Sequence, residues 1–290
     1  MSSPKLHHYV PRFYLKQFAD KKECFWVWNK NTKKVFKGNP YGVAAEQHFY
    51  RVPEFIGSEY DPLFLEHNLS KLEFDTSIVM NKWLESLNSM QIMEKLLVTP
   101  EERRLLSVFI SVQFLRTAQQ RDILALFPKL VGQDNSDISP NEKINLHAYM
   151  LCSSGLVEEI AERIEKSIWL FARNDTEIPF WTSDNPVCFK TGDNRMWLKG
   201  MGIMSEGSYI VYPINPHYVL YCKEPNYWAM LKKLDCYLSP VKMTPDMIEH
   251  ENAGQVFMAT RFVISPNNNF SFANEFVETI GTDIYAPPDS

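Results

Sequence analysis

The opening of the chain, residues 5–18 (KLHHYVPRFYLKQF), is the feature that most constrains what it can fold into. Large apolar side chains are concentrated there: Tyr9, Phe13, Tyr14, Leu15 and Phe18. Chain ends are usually frayed and polar, and this much apolar surface is not left in water. We therefore expect the opening to be packed into the body of the protein, carrying His7 and His8 with it.

Charge and glycine content exclude some classes of function. The chain has 30 Lys plus Arg against 35 Asp plus Glu, a net charge of −5, whereas proteins that bind nucleic acid by bulk electrostatics are basic. An enzyme with a local phosphate site is still compatible with this charge. Only 11 glycines are present, and the glycine-rich motifs of nucleotide-binding proteins, the serine-hydrolase elbow and the H-E-x-x-H zinc motif are missing.

Cysteine usage and hydropathy predict a cytoplasmic protein without membrane partners. The five cysteines are scattered and form no C-x-x-C pair, which argues against a disulfide framework and a thiolate zinc site. The start of the chain lacks the pattern of a signal peptide. No segment approaches eighteen uninterrupted apolar residues.

Local signals predict an α+β fold. A β-hairpin is expected from residues 23–28 and 33–37, followed by a helical middle. Asp61-Pro62 and Thr99-Pro100 combine a capping side chain with proline at the first helical position, which predicts helices to about Leu87 and Leu126.

The second half of the chain is richer in strands. Strands are predicted around residues 167–172, 180–182, 209–214 and 218–222, and one late helix is predicted from Thr244. Since helices and strands are segregated and do not alternate, we expect α+β architecture. We expect one compact domain over residues 1–290, with a soft internal boundary near residues 153–156.

His7 and His8 are the sharpest candidates for chemistry. Imidazoles bind metals or act as general acid or base near neutral pH. Adjacent residues of an extended chain point to opposite sides, so a shared site would need a turn. The alternative is a pair of structural histidines that hydrogen-bond to the backbone.

Polar residues interrupt the apolar helix predicted from Thr99. Gln113, Arg116 and Gln120 share one side of it, and Arg121 lies near the margin. A buried guanidinium requires partners, and Glu66 or Glu73 at the edge of the preceding helix could supply them. The alternative is that Arg116 and Arg121 hold a phosphate or carboxylate of a ligand.

The segment 181–186 (WTSDNP) follows a predicted strand and has the composition of a tight turn. Asp184 and Asn185 fold back on the local backbone in such turns. A carboxylate at the end of a strand is also a common position for a metal ligand or catalytic base. Both interpretations stay open from the residues alone.

Three motifs, HHYVPRFYLKQF, QFLRTAQQR and TSDNPV, occur in this order. Together they resemble the bacterial family catalogued as domain of unknown function 4238. The resemblance implies that polar residues from three distant segments belong together, and it brings no established activity, substrate or cofactor.

Our leading hypothesis is a metal-assisted hydrolase acting on a phosphodiester in nucleic acid or a nucleotide, of a kind that fits bacterial defence. His7, His8 and Asp184 would be catalytic, with Glu73 orienting one of them and His8 and Asp184 binding a divalent metal ion. The residues expected to hold the anionic ligand are Gln113, Arg116, Arg121 and Asn185. The alternative is a non-catalytic binding or regulatory protein, or a sensor of a small anionic ligand, with a buried polar network.

Overall fold

The structure, a computed structural model, describes residues 6–57, 59–130, 138–153, 155–193, 197–198 and 205–280. Its element order is the predicted one: strands at the start, a helical middle, and a strand-rich part with a late helix. The α+β prediction is therefore confirmed. Within the described ranges, no helix has both the length and the apolar character needed to cross a bilayer.

The helices lie mainly in the middle of the chain. They are α1 (Arg12–Lys16), α2 (Phe64–Ser89), α3 (Pro100–Leu115), α4 (Ala118–Leu130), α5 (Pro140–Cys152), α6 (Leu156–Lys166), α7 (Pro245–Met258) and α8 (Ser271–Phe276). Thr99 begins α3 with a complete capping box with Glu102, and Ser139 begins α5 in the same way with Glu142. These two starts follow directly from the sequence.

The strands form three sheets among the described residues. A small sheet pairs β1 (Leu6–His8) with β4 (Ala45–Gln47). The second sheet has the order β3 (Val35–Gly38), β2 (Phe25–Asn29), β12 (Phe262–Ser265) and β6 (Thr182–Ser183). The third has the order β11 (Tyr237–Leu238), β5 (Ile168–Arg173), β10 (Tyr218–Lys223), β9 (Tyr209–Asn215), β7 (Cys188–Lys190) and β8 (Trp197–Leu198).

Two of the predicted helices differ from the structure. The helix expected from Asp61 begins at Phe64, because the Asp61 carboxylate accepts the Leu63 N–H in a turn of its own. The helix expected from Thr99 to about Leu126 is interrupted at Arg116–Thr117, between α3 and α4. Both residues are compatible with a helix, so the interruption must come from tertiary contacts.

The core positions the opening segment at the centre of the fold. The largest buried apolar cluster extends in sequence from Tyr9 to Ile264 and includes residues from both sides of the boundary expected near 153–156. Tyr14 of α1 donates its hydroxyl hydrogen to the Pro213 carbonyl and accepts the Thr182 hydroxyl, each at 2.8 Å. The opening thus bridges two sheets. The single-domain assignment stays a prediction.

Candidate functional site

The side chains of His7 and His8 lie on opposite faces of β1. In the β1–β4 pair, His7 lies opposite Glu46 and His8 opposite Ala45. His7 is completely buried and His8 is half-buried. This alternation is the period of two that an extended chain imposes, so the two imidazoles do not face one site.

His7 is held by the backbone that follows β4. Its Nδ1 accepts the Tyr50 N–H at 2.8 Å, and its ring stacks on that of Tyr50 with centroids 6.0 Å apart. Glu66 Oε2 lies 3.9 Å from the same nitrogen. Because the Nδ1 lone pair already accepts an amide hydrogen, we do not regard this approach as an ion pair. Burial raises the pKa of the Glu66 carboxyl.

Arg116 is the centre of the candidate site. It lies at the interruption between α3 and α4, is 1% exposed, and uses all three of its nitrogens. Nε donates to the Tyr50 hydroxyl at 3.0 Å, Nη1 to Glu73 Oε1 at 2.8 Å, and Nη2 to the His8 carbonyl at 2.7 Å. One guanidinium therefore joins the opening segment, the residues after β4, and α2.

Tyr50 completes this arrangement. Its hydroxyl accepts from Arg116 Nε and donates to the Arg116 carbonyl at 3.1 Å. That carbonyl is one of those left without a helical partner where α3 ends. Burial lowers the pKa of Arg116, but Tyr50 and Glu73 outweigh burial, and the pKa is raised overall. Burial raises the pKa of the Tyr50 hydroxyl to about 12.

His8 lies at the border between this network and the surface. Its Nε2 is 3.1 Å from the Tyr41 carbonyl. Since a carbonyl only accepts, Nε2 carries a hydrogen, and the lone pair of the neutral ring is on Nδ1. Burial lowers the pKa of His8, with the charges of Arg12 and Arg116 adding to the effect and the bond to Tyr41 opposing it.

Arg121 belongs to an adjacent cluster on α4. Its Nη2 donates to the Phe49 carbonyl, and its Nε donates to His147 Nδ1 at 3.2 Å. His147 Nε2 in turn donates to the Leu115 carbonyl at 2.9 Å. Burial and the neighbouring Arg121 lower the pKa of His147 to about 3. Burial lowers the pKa of Arg121 to about 10, so it is still charged at neutral pH.

Asp184 has a backbone role in the turn after β6. One carboxylate oxygen accepts the Thr260 N–H at 2.9 Å, and the other accepts those of Arg261 and Phe262 at 2.7 and 3.0 Å. Burial raises the pKa of this carboxyl to about 6. The three N–H groups lower the pKa, but their effect is smaller than that of burial. Both oxygens of Asp184 are thus engaged in fixing the connection between α7 and β12.

Asn185 and Gln113 each donate one hydrogen bond close to the interruption between α3 and α4. Asn185 Nδ2 donates to Gln119 Oε1 on α4. Gln113 Nε2 donates to the Tyr9 carbonyl of the opening segment at 3.1 Å. Both side chains are fully buried.

The predicted site residues therefore do not share one site. Arg116 bonds to Glu73, to Tyr50 and to the backbone carbonyl of His8, and Tyr50 in turn bonds to His7. Asp184 bonds the backbone before β12, and no hydrogen bond or ion pair joins it to His8 within the described residues. The part of the chain described by the structure also contains no group of three or more His, Cys, Asp or Glu side chains arranged to hold a metal ion.

A surface groove lies beside the Arg116–Glu73 pair, between α1 and α2. Its volume is about 350 Å³, and its lining comprises Arg12, Phe13, Lys16, Tyr41, Ser70, Glu73, Phe74 and Ser77. The Arg12 guanidinium carbon and Lys16 Nζ lie 5.2 and 5.6 Å from the centroid of the Tyr41 ring. Phe74 is 65% exposed, which leaves an aromatic face open to solvent next to two cations.

Another cavity, of about 190 Å³, lies near the start of β9 and the end of α6. It includes Cys222, whose pKa is raised by burial to about 12. A thiol that stays protonated is neither a nucleophile nor a metal ligand at neutral pH. Cys222 therefore supplies no thiolate chemistry to this cavity.

Sequence reasoning missed Tyr50, His147 and Arg12. Tyr50 bonds to Arg116, and His147 bonds to Arg121. The sequence predicted that a buried guanidinium needs partners, but it did not predict which residues these would be. Arg12 lies at an exposed position of α1, in which Tyr14 and Leu15 are the buried residues.

Comparisons with known proteins agree with the motifs. The searches of curated proteins and of solved structures each returned no match. A family model described as "Protein of unknown function (DUF4238)" matches residues 6–269. That range contains the opening strand, the α3–α4 region and the turn at Asp184, and the chain therefore belongs to this family.

Proposed function

We propose that the protein binds a small phosphate-bearing ligand of mononucleotide size in the groove between α1 and α2. The observation that carries the proposal is the pairing of two cations with an open aromatic face in one groove. Arg12 and Lys16 would bind the phosphate, and Phe74 would stack on the base. A volume of about 350 Å³ is within the usual range for small-molecule sites.

The charge balance of the groove supports this assignment. Arg12 makes no ion pair within the described residues, while Lys16 pairs with Glu23 in a half-exposed contact at 2.7 Å. Glu73, the carboxylate in the lining, already bonds to Arg116 at 2.8 Å. The groove therefore presents an excess of positive charge, in a protein whose total charge is negative.

The buried network supplies a rigid base for such a site. Arg116 has its three nitrogens engaged, so it holds Glu73 and the His8 carbonyl in place and does not contact the ligand. Binding geometries are kept by side chains whose own positions are fixed. Arg116 is thus assigned a positioning role, whereas the sequence predicted direct contact with the anion.

Calorimetric titration with AMP, with adenosine as the phosphate-free probe, tests the proposal. Replacing Arg12 by Ala should weaken AMP binding about 10- to 100-fold, the value of one charge-assisted hydrogen bond. Phe74→Ala should weaken AMP and adenosine alike. Lys232→Ala removes an exposed lysine outside the groove and is the matched control. Equal affinity of the wild-type protein for AMP and adenosine would refute the proposal.

A second candidate function is hydrolysis of a phosphodiester at the same groove, as the sequence hypothesis stated. What favours it is His8, which bonds to the carbonyl of a lining residue, Tyr41, and has a lowered pKa. A neutral imidazole takes a proton from the attacking water as the water oxygen bonds to phosphorus, and the P–O bond to the leaving group breaks, with the electron pair leaving on that oxygen. The sequence hypothesis placed a divalent metal ion at His8 and Asp184. Both oxygens of Asp184 accept backbone N–H groups, and Asp184 does not line the groove, so this candidate assigns it no part in the reaction.

Two measurements separate hydrolysis from binding alone. Turnover of bis(p-nitrophenyl) phosphate is measured with and without added Mg²⁺ or Mn²⁺, and the metal content of the purified protein is determined. His8→Gln should abolish turnover while leaving AMP affinity unchanged. If the wild-type protein shows no turnover under any of these conditions, binding without chemistry is the function of the groove.

A further inference from the structure

The interruption between α3 and α4 contains buried polar atoms that lack partners. These atoms are Gln113 Oε1, Thr117 Oγ1, Gln120 Nε2 and Asn185 Oδ1, and none makes a hydrogen bond to the part of the chain that the structure describes. The four side chains are between 0 and 7% exposed. Native proteins rarely leave such groups unsatisfied, because each one costs about 1–3 kcal/mol.

The first turn of α4 adds backbone donors at the same place. The N–H groups of Ala118, Gln119 and Gln120 find no acceptor among the described residues, as is usual for the first turn of a helix. α4 has 13 residues, long enough for its dipole to favour negative charge at this end. Anions bind at helix starts for both reasons.

The sequence positions and contacts of these residues place them around the start of α4. Thr117 immediately precedes α4, and Gln120 is in its first turn. The Asn185 side chain donates to the side chain of Gln119 in that turn, so Asn185 is a direct neighbour of the start of α4. Gln113 lies one helical turn before Thr117, on the last turn of α3.

The charge around the start of α4 is compatible with an anionic ligand. Ala118 and Gln119 of the first turn are partly exposed, while the unpartnered atoms themselves are buried. Arg116 and Arg121 flank the first turn. Asp184 is the nearest acid in sequence to Asn185, and both of its oxygens bond to backbone N–H groups.

We propose that this interruption is a binding site for inorganic phosphate. Oxygens of the ion accept from the first-turn N–H groups of α4, the Thr117 hydroxyl and the Gln120 amide. Dihydrogen phosphate, which has two O–H groups, donates one hydrogen to the amide oxygen of Asn185 and one to that of Gln113. The need for both accepting and donating oxygens selects phosphate, which keeps a hydrogen at neutral pH, over sulfate, which does not. This site is separate from the groove and does not rest on the function proposed for it.

Thermal unfolding with increasing phosphate at constant ionic strength tests the proposal. The wild-type melting temperature should rise saturably, by about 5 °C at a hundredfold excess over the dissociation constant. Sulfate should have little effect. Thr117→Val and Gln120→Met each remove one donor without changing the shape, and both should weaken the phosphate effect at least tenfold.

Arg12→Ala is the control that distinguishes this site from the groove, and it should keep the full phosphate effect. Equal stabilisation by sulfate and phosphate would overturn the proposal, as would an unchanged effect in both Thr117→Val and Gln120→Met. Absence of any phosphate effect on the wild type, together with a loss of stability in Thr117→Val, would overturn it in favour of buried water.

Discussion

Arg116 is the residue on which most contacts of the candidate site depend. It lies at the end of α3, and its three nitrogens bond to three different segments of the chain. The sequence indicated that this guanidinium would need a carboxylate, and Glu73 is that partner. Neither Tyr50 nor the His8 carbonyl was predictable as a partner, because both bonds depend on the folded path of the opening segment.

Replacing Arg116 by Ala should lower the free energy of unfolding by about 3–5 kcal/mol, because Glu73 and the buried Tyr50 hydroxyl would lose their partner. Chemical denaturation measures the change. Arg104→Ala is the matched control, since Arg104 is about one third exposed and pairs with Glu158 and Glu165 at the surface. Its cost should be below about 1 kcal/mol. Similar costs for the two variants would contradict the role given to Arg116.

His147 should make the protein sensitive to mild acid. Its pKa falls from 6.5 to about 3 in the folded protein, so the unfolded chain binds the extra proton first. The contribution of His147 to the free energy of unfolding is therefore fully present above pH 6.5. It is lost as the pH falls, by roughly 2 kcal/mol between pH 6.5 and 5.

The comparison is between denaturation at pH 7 and at pH 5 for the wild type and for His147→Gln. The variant should lose this part of the pH dependence, although it is less stable at pH 7. Parallel pH profiles of the two proteins would show that His147 does not contribute. Other titrating groups cancel, because they are present in both proteins.

At the level of elements, α7 is packed unusually closely against β8. A Cβ added to Gly254 would lie 2.5 Å from ring atoms of Trp197. Glycine is a poor helix former, so Gly→Ala inside a helix normally stabilises by about 0.4–1 kcal/mol. Here the steric overlap should outweigh that gain.

Gly254→Ala should therefore destabilise the protein by about 1–3 kcal/mol, the usual cost of overpacking. Gly42→Ala is the control, because the nearest atom to its added Cβ is 3.9 Å away. Thermal unfolding of both variants gives the answer. A more stable Gly254→Ala protein would mean that α7 and β8 separate easily.

The sequence predicted elements well where their signals were local. The cap and proline at Thr99-Pro100 predicted the start of α3, and the hairpin expected from residues 23–28 and 33–37 is formed by β2 and β3. The sequence prediction failed at Arg116–Thr117, where α3 has ended and after which α4 begins at Ala118. That interruption is accompanied by the bonds of Arg116 to distant residues, which no local propensity encodes.

At the level of the molecule, the Tyr14 hydroxyl joins two sheets through Thr182 and Pro213. Tyr14→Phe leaves the Pro213 carbonyl and the Thr182 hydroxyl without this buried partner. The free energy of unfolding should fall by about 1–3 kcal/mol. Tyr149→Phe, at a position 59% exposed, should change it by less than about 0.5 kcal/mol.

Urea denaturation followed by tryptophan fluorescence measures both variants. A neutral Tyr14→Phe substitution would show that the two sheets are held together without this hydroxyl. The burial of the opening segment was predictable from its aromatic content, and its key residues Tyr14, Leu15 and Phe18 are fully buried. Which strands it would join was not predictable, because both partners are remote in sequence.

That remoteness has a consequence for synthesis on the ribosome. The two partners of Tyr14 lie 168 and 199 residues further along the chain. At about 5–20 residues per second, about 10 to 40 s pass before the second partner is made. For that time the Tyr14 hydroxyl of the nascent chain lacks the second of its two partners, so the junction between the two sheets is completed only late in synthesis.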